Sequence, residues 1–161
     1  MAEQRLKYFG WGREGEGMTA AEETAALDRY RRLFAIGDFA EKTPPALAEI
    51  ELRAARLTPP AALAPICSSA LYDRVAHAYG KSFRDYARGL DGDYAAAPDV
   101  VAYPRNPGEI AAVLDWAGGT QAAIVPFGAG SSVVGGVEPA IDRTSHKAAV
   151  KIGRASCRER V

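Results

Sequence analysis

Apolar residues recur at helical spacing in several stretches before residue 95. The first stretch begins at Thr19, and Glu22 completes a capping-box pattern in which each side chain satisfies a free backbone N–H. We expect this helix to reach about Ile36. Its spacing predicts one buried face, formed by Leu27, Tyr30, Leu33 and Phe34.

Three shorter helices are predicted after the first. One covers residues 45–56, a second begins at Ser69 and ends near Tyr79, and a third follows Ser82. In the third helix, Phe83 and Tyr86 are expected to face inward. Before all of these, residues 5–17 contain glycines and aromatic residues without a regular period, which indicates an arm that packs its aromatic side chains against the rest of the chain.

The pattern changes from helical to alternating strand and helix near residue 95. Residues 99–103 form an apolar strand candidate, and Asn106 then starts a helix with proline at its first position and Glu109 at its third. A second apolar run at residues 122–126 completes a βαβ unit with parallel strands and a right-handed crossover. The predicted fold class is therefore α+β: a mainly helical region at residues 1–95, followed by a βαβ unit at residues 96–150.

The segment from Ala122 to Gly136, AAIVPFGAGSSVVGG, ends its strand in a loop of glycine and serine without a charged side chain. Glycine reaches positive φ freely, and successive N–H groups can converge on an anion. An ordinary tight turn is the alternative from these residues alone. Since ligands of open parallel sheets bind beyond the carboxyl ends of the strands, the position of the loop favours a phosphate site.

Three familiar phosphate or nucleophile motifs do not match this loop. A Walker loop needs a lysine, but Gly135 is followed by Gly136. The Rossmann fingerprint would need a third glycine where Val133 stands, and a nucleophile elbow would need one at Val134. Any phosphate bound here must be held by a loop that does not continue into a helix.

Composition narrows the class of protein. The chain has 161 residues, is 48% hydrophobic, and has a formal net charge of zero, which does not favour nucleic acid as a partner. No apolar run is long enough to span a membrane, and the N-terminus lacks a signal-peptide core, so we expect a cytoplasmic protein. Histidine occurs only at His77 and His146, so no metal site is predicted.

The last eleven residues differ in character from the rest of the chain. The segment from Ile152 to Val161 reads as the translation of a common sequencing-adapter sequence. We therefore expect residues 151–161 to be a non-native tail and the natural protein to continue differently after Val150. A genuine basic tail is the alternative, and re-sequencing of the locus decides between them. Without Cys157, only Cys67 remains, which excludes a disulfide framework.

Two segments, PDVVAYPRNPGEIAAVLDWA and AAIVPFGAGSSVVGG, resemble the start of the PCMH-type FAD-binding domain. This is the domain of the vanillyl-alcohol oxidase and p-cresol methylhydroxylase superfamily. Upstream, GWG at residues 10–12 and RVAHAYG at residues 74–80 look like the N-terminal region of its alkyldihydroxyacetonephosphate synthase branch. The resemblance implies that the chain is an N-terminal fragment of a flavoprotein.

The resemblance also implies which residues bind the cofactor. In that superfamily the matching loop wraps the FAD pyrophosphate, so the implied contacts are Pro126, Phe127, Gly128, Ala129, Gly130, Ser131 and Ser132. Some relatives attach FAD covalently through a histidine in this loop, in a GGH pattern. Gly130 stands at the matching position, so noncovalent FAD is expected.

Two functions follow from the resemblance. The first is an FAD-dependent oxidoreductase, or FAD-linked oxidase, that acts on an alcohol or hydroxy acid. The alternative is alkylglycerone-phosphate synthase, a flavin-dependent transferase that exchanges an acyl for an alkyl group in ether-lipid synthesis. Both imply a small-molecule substrate and are compatible with a homodimer of the complete protein.

No catalytic residue is identified from the sequence. Asp99, Glu109 and Asp115 are interpreted as residues that cap or solvate their own elements, and Tyr79 and Tyr86 as core residues. His77 is interpreted as structural. We expect the 161-residue chain alone to be inactive and poorly stable, because one βαβ unit with one loop does not enclose FAD.

Overall fold

The computed structural model describes residues 5–35, 37, 42–139, 141 and 145–153. Over these residues the fold is mixed α/β, as the sequence predicts. Its helices are α1 (Ala20–Phe34), α2 (Leu71–Ala76), α3 (Phe83–Leu90) and α4 (Pro107–Gly119). Its strands are β1 (Cys67–Ser68), β2 (Val100–Ala102), β3 (Ala122–Gly128) and β4 (Ala148–Gly153), and short 3-10 turns cover Leu47–Glu49 and Ala64–Ile66.

The four strands form one sheet in the order β1-β2-β4-β3. β4 lies between β2 and β3 and is parallel to both, with Val150 opposite Val100 on one side and Ile124 on the other. β2, α4 and β3 are therefore the predicted βαβ unit, although its two strands are not neighbours. The core between sheet and helix includes Leu63, Ile66, Val100, Val113, Ala117 and Val150.

Helix α4 follows the sequence prediction closely. The Asn106 side chain accepts a hydrogen bond from the Glu109 N–H at 2.9 Å, which satisfies one of the free donors at the helix start. Val113 and Ala117 are fully buried, whereas Ile110 and Leu114 are 39% and 46% exposed. Of the four apolar residues that recur at helical spacing along α4, only Val113 and Ala117 pack against the sheet.

Helix α1 has the predicted start but not the predicted packing. The Thr19 N–H donates to Glu22 Oε2 at 2.7 Å, and the Glu22 N–H donates to Thr19 Oγ1 at 3.3 Å. None of the residues of α1 is buried, and Leu33 is 67% exposed. The prediction of a buried face is wrong for the described residues because no described element covers that face. Ile36, the predicted end, lies outside the described residues.

The helix predicted at residues 45–56 is wrong except for one 3-10 turn at Leu47–Glu49. The chain beyond this turn is not helical, and Arg53 and Arg56 both reach the carboxylate of Asp99. Tertiary contacts to a buried charge therefore override a moderate helical propensity.

The two helices that follow also differ in detail from the prediction. α2 is shorter than expected, and Ser69 does not cap it, because Ala70 occupies the N-cap position without a side-chain bond. Ser82 caps α3, and Asp85 at the third helical position completes the capping box. Phe83 is 89% exposed, so its predicted inward orientation is wrong, since the first position of this helix faces solvent.

Contacts cross the predicted boundary near residue 95. β1 pairs with β2 in an antiparallel register, with Cys67 opposite Ala102. The N-terminal arm packs in part as predicted: Phe9 lies edge-on to Tyr86 at 5.4 Å between ring centroids, whereas Trp11 is 61% exposed. The division into domains stays a prediction.

Residues 151–153 end β4, and the rest of the predicted tail lies outside the described residues.

Within the described ranges, no helix is both long and apolar enough to cross a bilayer.

Candidate functional site

The glycine-rich loop leaves the sheet at the carboxyl end of β3, where the sequence places a phosphate site. Gly128 and Gly130 have φ values of 57° and 66°, which favour glycine. The Gly130 N–H donates to the Phe127 carbonyl at 3.0 Å and closes a tight turn. A Cβ added at Gly130 would overlap the Phe127 ring and lie 2.7 Å from its Cε1, so this position requires glycine for space as well as backbone angle.

The loop presents main-chain and hydroxyl donors to solvent. Ala129 and Ser131 are exposed and Ser132 is half-buried. The N–H groups of Ser131 and Ser132, and the Ser131 hydroxyl, donate to no residue in the described part of the chain. Because these donors are not used by the fold, the loop fits a diphosphate group that accepts several hydrogen bonds.

The end of the loop is tied back to the linker between α2 and α3. The Lys81 N–H donates to the Ser132 carbonyl at 2.6 Å. The Ser132 hydroxyl oxygen accepts from the Gly136 N–H at 3.3 Å, which folds the loop tip onto itself. The contact between Lys81 and Ser132 joins residues that are far apart in sequence, and sequence reasoning did not find it.

An aromatic and polar cluster lies against the first turn of the loop. The His77 ring is 4.5 Å from the Phe127 ring and 5.6 Å from the Tyr103 ring, measured between centroids. His77 Nδ1 lies 2.8 Å from the Asp73 carbonyl oxygen. Since a carbonyl only accepts hydrogen bonds, Nδ1 carries the proton of the neutral ring and Nε2 does not. The Asp73 carboxylate accepts from the Tyr103 hydroxyl at 2.7 Å and from Ser68.

Burial controls the protonation of His77. Loss of solvent, with a smaller contribution from the nearby Lys151 charge, lowers the pKa of His77 to about 4, although its bond to Asp73 opposes the shift. His77 is therefore neutral at physiological pH. Lys151 is itself buried beside Phe127, but it belongs to the predicted non-native tail, so we assign it no role.

The acidic residues considered from sequence lie elsewhere. Asp99 is fully buried and pairs with Arg53 and Arg56, so its interpretation as a residue that serves only its own element is wrong. Burial alone would raise the pKa of Asp99, but hydrogen bonds from Arg56 and Arg53, and from the N–H groups of Ala149 and Arg56, hold it far below its usual range. Glu109 lies in the first turn of α4, where its carboxylate accepts from the Arg105 N–H at 2.6 Å and pairs with the Arg105 guanidinium.

A cleft lies between the N-terminal arm and the α2–α3 linker. Aromatic side chains line it: Tyr8 and Phe9 of the arm, Tyr79 of the linker, Tyr86 of α3 and Tyr94 of the segment after α3. The phenols of Tyr79 and Tyr94 are buried, and within the described residues neither hydroxyl has a hydrogen-bond partner. Tyr79 is a core residue, as predicted, and packs in a cluster with Ile50, Val75, Ala78, Tyr94 and Ala97.

Across the described ranges, no group of three or more His, Cys, Asp or Glu side chains is arranged to hold a metal ion.

The chain is similar in sequence to two curated proteins named alkyldihydroxyacetonephosphate synthase. It is 38% identical over 68 residues to the protein of Trypanosoma brucei brucei, and 36% identical over 66 residues to that of Dictyostelium discoideum. The matches cover 42% and 41% of this chain but 11% of each relative. No protein-family model matches the chain.

Two solved structures of alkyldihydroxyacetonephosphate synthase, in space groups P1 and P212121, share the fold. Their TM-scores are 0.70 and 0.73 at 21% sequence identity, over 91% and 92% of this chain. The chain spans 32% of the length of each structure. At 21% identity the structural similarity shows the fold alone. The sequence similarity to proteins named alkyldihydroxyacetonephosphate synthase comes from the two curated relatives.

Proposed function

Because the chain is related in sequence to alkyldihydroxyacetonephosphate synthases and has their fold, we propose that it is part of an FAD-binding enzyme of this kind. The proposed cofactor site is the loop from Pro126 to Ser132, which would hold the pyrophosphate. The chain covers about a third of the solved relatives, so the activity belongs to the complete protein.

One observation carries this proposal: a loop at the end of a parallel strand with two left-handed glycines and unused N–H donors. Gly128 and Gly130 supply the backbone angles, and Ser131 and Ser132 supply the donors. A hydrogen bond to a charged group contributes about 1.5 to 3 kcal/mol. Several such bonds would anchor a diphosphate without an arginine or lysine in the loop.

The chain's own residues would fix the geometry of this anchor. Phe127 packs on the His77 ring and holds the first turn of the loop, and Gly130 lets the chain turn closely over Phe127. When bound, the flavin would supply the chemistry, either as an acceptor of hydride or in the exchange of an acyl for an alkyl group without net redox change.

Of the two activities, the synthase is favoured over the oxidation of an alcohol or hydroxy acid. Its support is the sequence match at 38% and 36% identity to proteins named for it. The oxidoreductase remains the second candidate, because the loop PFGAGSS resembles that of the wider superfamily, which includes oxidases.

We further propose that FAD is bound noncovalently, since Gly130 stands where covalent relatives have histidine. A cytoplasmic location and a small-molecule substrate belong to the same proposal.

The test uses the complete open reading frame that contains this chain, expressed and purified. We expect a yellow protein that exchanges a fatty alcohol into acyl dihydroxyacetone phosphate and releases its flavin on acid precipitation. Reduction of an electron acceptor by a hydroxy acid, without exchange, would instead support the oxidoreductase. A colourless protein that binds no added FAD would rule out both. Flavin retained in the acid precipitate would contradict noncovalent attachment.

A further inference from the structure

We propose that Gly80 and Lys81, in the linker between α2 and α3, are positioning residues for the loop from Pro126 to Ser132, called the cofactor loop below. By holding this loop in place, they set its affinity for FAD. This inference rests on the proposed function for its ligand. The contacts that support this inference do not depend on a ligand, because they are made within the chain.

The first contact requires glycine at position 80. A Cβ added there would overlap the Ser132 carbonyl oxygen and lie 3.1 Å from the Ser132 carbonyl carbon. Gly80 does not have a positive φ, so space and not backbone angle demands the missing side chain. The linker main chain therefore lies directly against the end of the cofactor loop.

The second contact fixes the direction of one peptide group. The Lys81 N–H donates to the Ser132 carbonyl at 2.6 Å. In a planar trans peptide, the carbonyl and the following N–H point in opposite directions. Holding the Ser132 carbonyl on the linker thus turns the Val133 N–H away from it, which adds Val133 to the donors available to a diphosphate.

The linker is itself held on both sides. Lys81 Nζ donates to the Gly10 carbonyl at 2.6 Å, which joins the linker to the N-terminal arm. On the other side, the buried Asp85 accepts from the Ser82 N–H at 3.0 Å and completes the capping box of α3. The linker that contacts the loop is thus tied to the N-terminal arm and to the start of α3.

The experiment uses the complete open reading frame with Gly80→Ala, and Gly118→Ala as the matched control. A Cβ added at Gly118 has no heavy atom within 4 Å. We expect Gly80→Ala to weaken FAD binding at least tenfold while riboflavin, which lacks the pyrophosphate, binds as before. Gly118→Ala should leave both affinities unchanged.

Amide hydrogen exchange of the apo-protein provides a readout without ligand. In Gly80→Ala, residues 128–136 should exchange faster, while residues 122–127 of β3 keep their wild-type protection. Wild-type exchange together with wild-type FAD affinity in a folded Gly80→Ala protein would overturn the proposal. Equal losses of FAD and riboflavin binding would also overturn it, because they indicate a general structural role.

A second variant covers the case in which Gly80→Ala does not fold. Lys81→Met keeps the main-chain donor but removes the bond to Gly10, so we expect faster exchange at residues 128–136 and about threefold weaker FAD binding. Unchanged exchange and affinity in Lys81→Met would then refute the proposal. If the wild-type protein binds no FAD, the proposed function fails, but the exchange data still decide whether the linker positions the loop.

Discussion

Gly130 is the residue of the cofactor loop with the least freedom to change. Its φ of 66° is unfavourable for other residues by roughly 1 to 2 kcal/mol, and an added Cβ would also displace the Phe127 ring. We expect Gly130→Ala to lower the free energy of unfolding by more than Gly128→Ala. Gly128 shares the positive φ but has nothing within 4 Å of an added Cβ. Urea unfolding of the two variants measures the difference, and equal losses would show that the Phe127 contact is unimportant.

His77 makes stability depend on pH in a defined window. Burial lowers its pKa from 6.5 to about 4, so between these values the unfolded chain binds a proton that the folded chain does not. Stability is therefore complete above pH 6.5 and falls as the pH drops toward 4, by up to about 3 kcal/mol. His77→Gln should flatten the urea-unfolding profile in this window. A variant with the wild-type slope would contradict the assignment.

The buried carboxylate of Asp99 holds residues 53–56 in place through its ion pairs with Arg53 and Arg56. Removing one partner of a buried ion pair costs about 3 to 5 kcal/mol, and the partial exposure of Arg53 and Arg56 reduces this to about 2 to 4 kcal/mol for Asp99→Asn. Asp28→Asn is the matched control, because its pair with Arg31 lies on the surface. Thermal or urea unfolding should separate the two variants. Because the pKa of Asp99 is depressed, its stabilising effect is complete above the unfolded-state value of 3.8 and is lost progressively as the pH falls below it, where the window of His77 ends.

At the scale of elements, burial distinguishes α1 from the core. Leu33 on α1 is 67% exposed, whereas Leu63 is 6% exposed and belongs to the core against the sheet. We expect Leu63→Ala to cost about 2 to 5 kcal/mol of unfolding free energy, and Leu33→Ala to have a much smaller effect. The same substitution at both positions removes differences in side-chain chemistry. Similar losses at both positions would mean that another part of the chain covers α1.

The sequence predicts those elements whose determinants are local. Asn106 and Glu109 define the start of α4, and Thr19 with Glu22 defines that of α1, because capping is a contact between near neighbours. The run at residues 122–126 predicts β3, which extends two residues further into the loop. The glycines of the loop also follow from sequence, since positive φ is a local requirement.

Elements that depend on distant partners could not be predicted. Residues 45–56 read as a helix because nothing nearby shows that Arg53 would bind Asp99. β1 has only two residues, too few to produce a strand pattern. The contact between Lys81 and Ser132 joins positions about fifty residues apart, so no spacing rule reveals it. The sequence shows the apolar face of α1, but it does not show whether another part of the protein packs on that face.

At the scale of the whole molecule, the sheet places the loop where a cofactor can reach it. Within the described residues β3 is an outer strand beside β4, and its carboxyl end leads directly into the loop. The chain spans 32% of the solved relatives, so this face of the sheet is part of a larger protein by our proposal. The loop, and not a charged side chain, then carries recognition of the cofactor.

The most direct test of this account is a calorimetric titration of the complete apo-protein with FAD and with riboflavin. Several hydrogen bonds to the pyrophosphate predict that FAD binds at least about a hundredfold more tightly than riboflavin. In Gly130→Ala this preference should shrink toward equal affinity. Equal affinities in the wild-type protein, or a preference that survives in Gly130→Ala, would contradict the assignment of the loop as the pyrophosphate site.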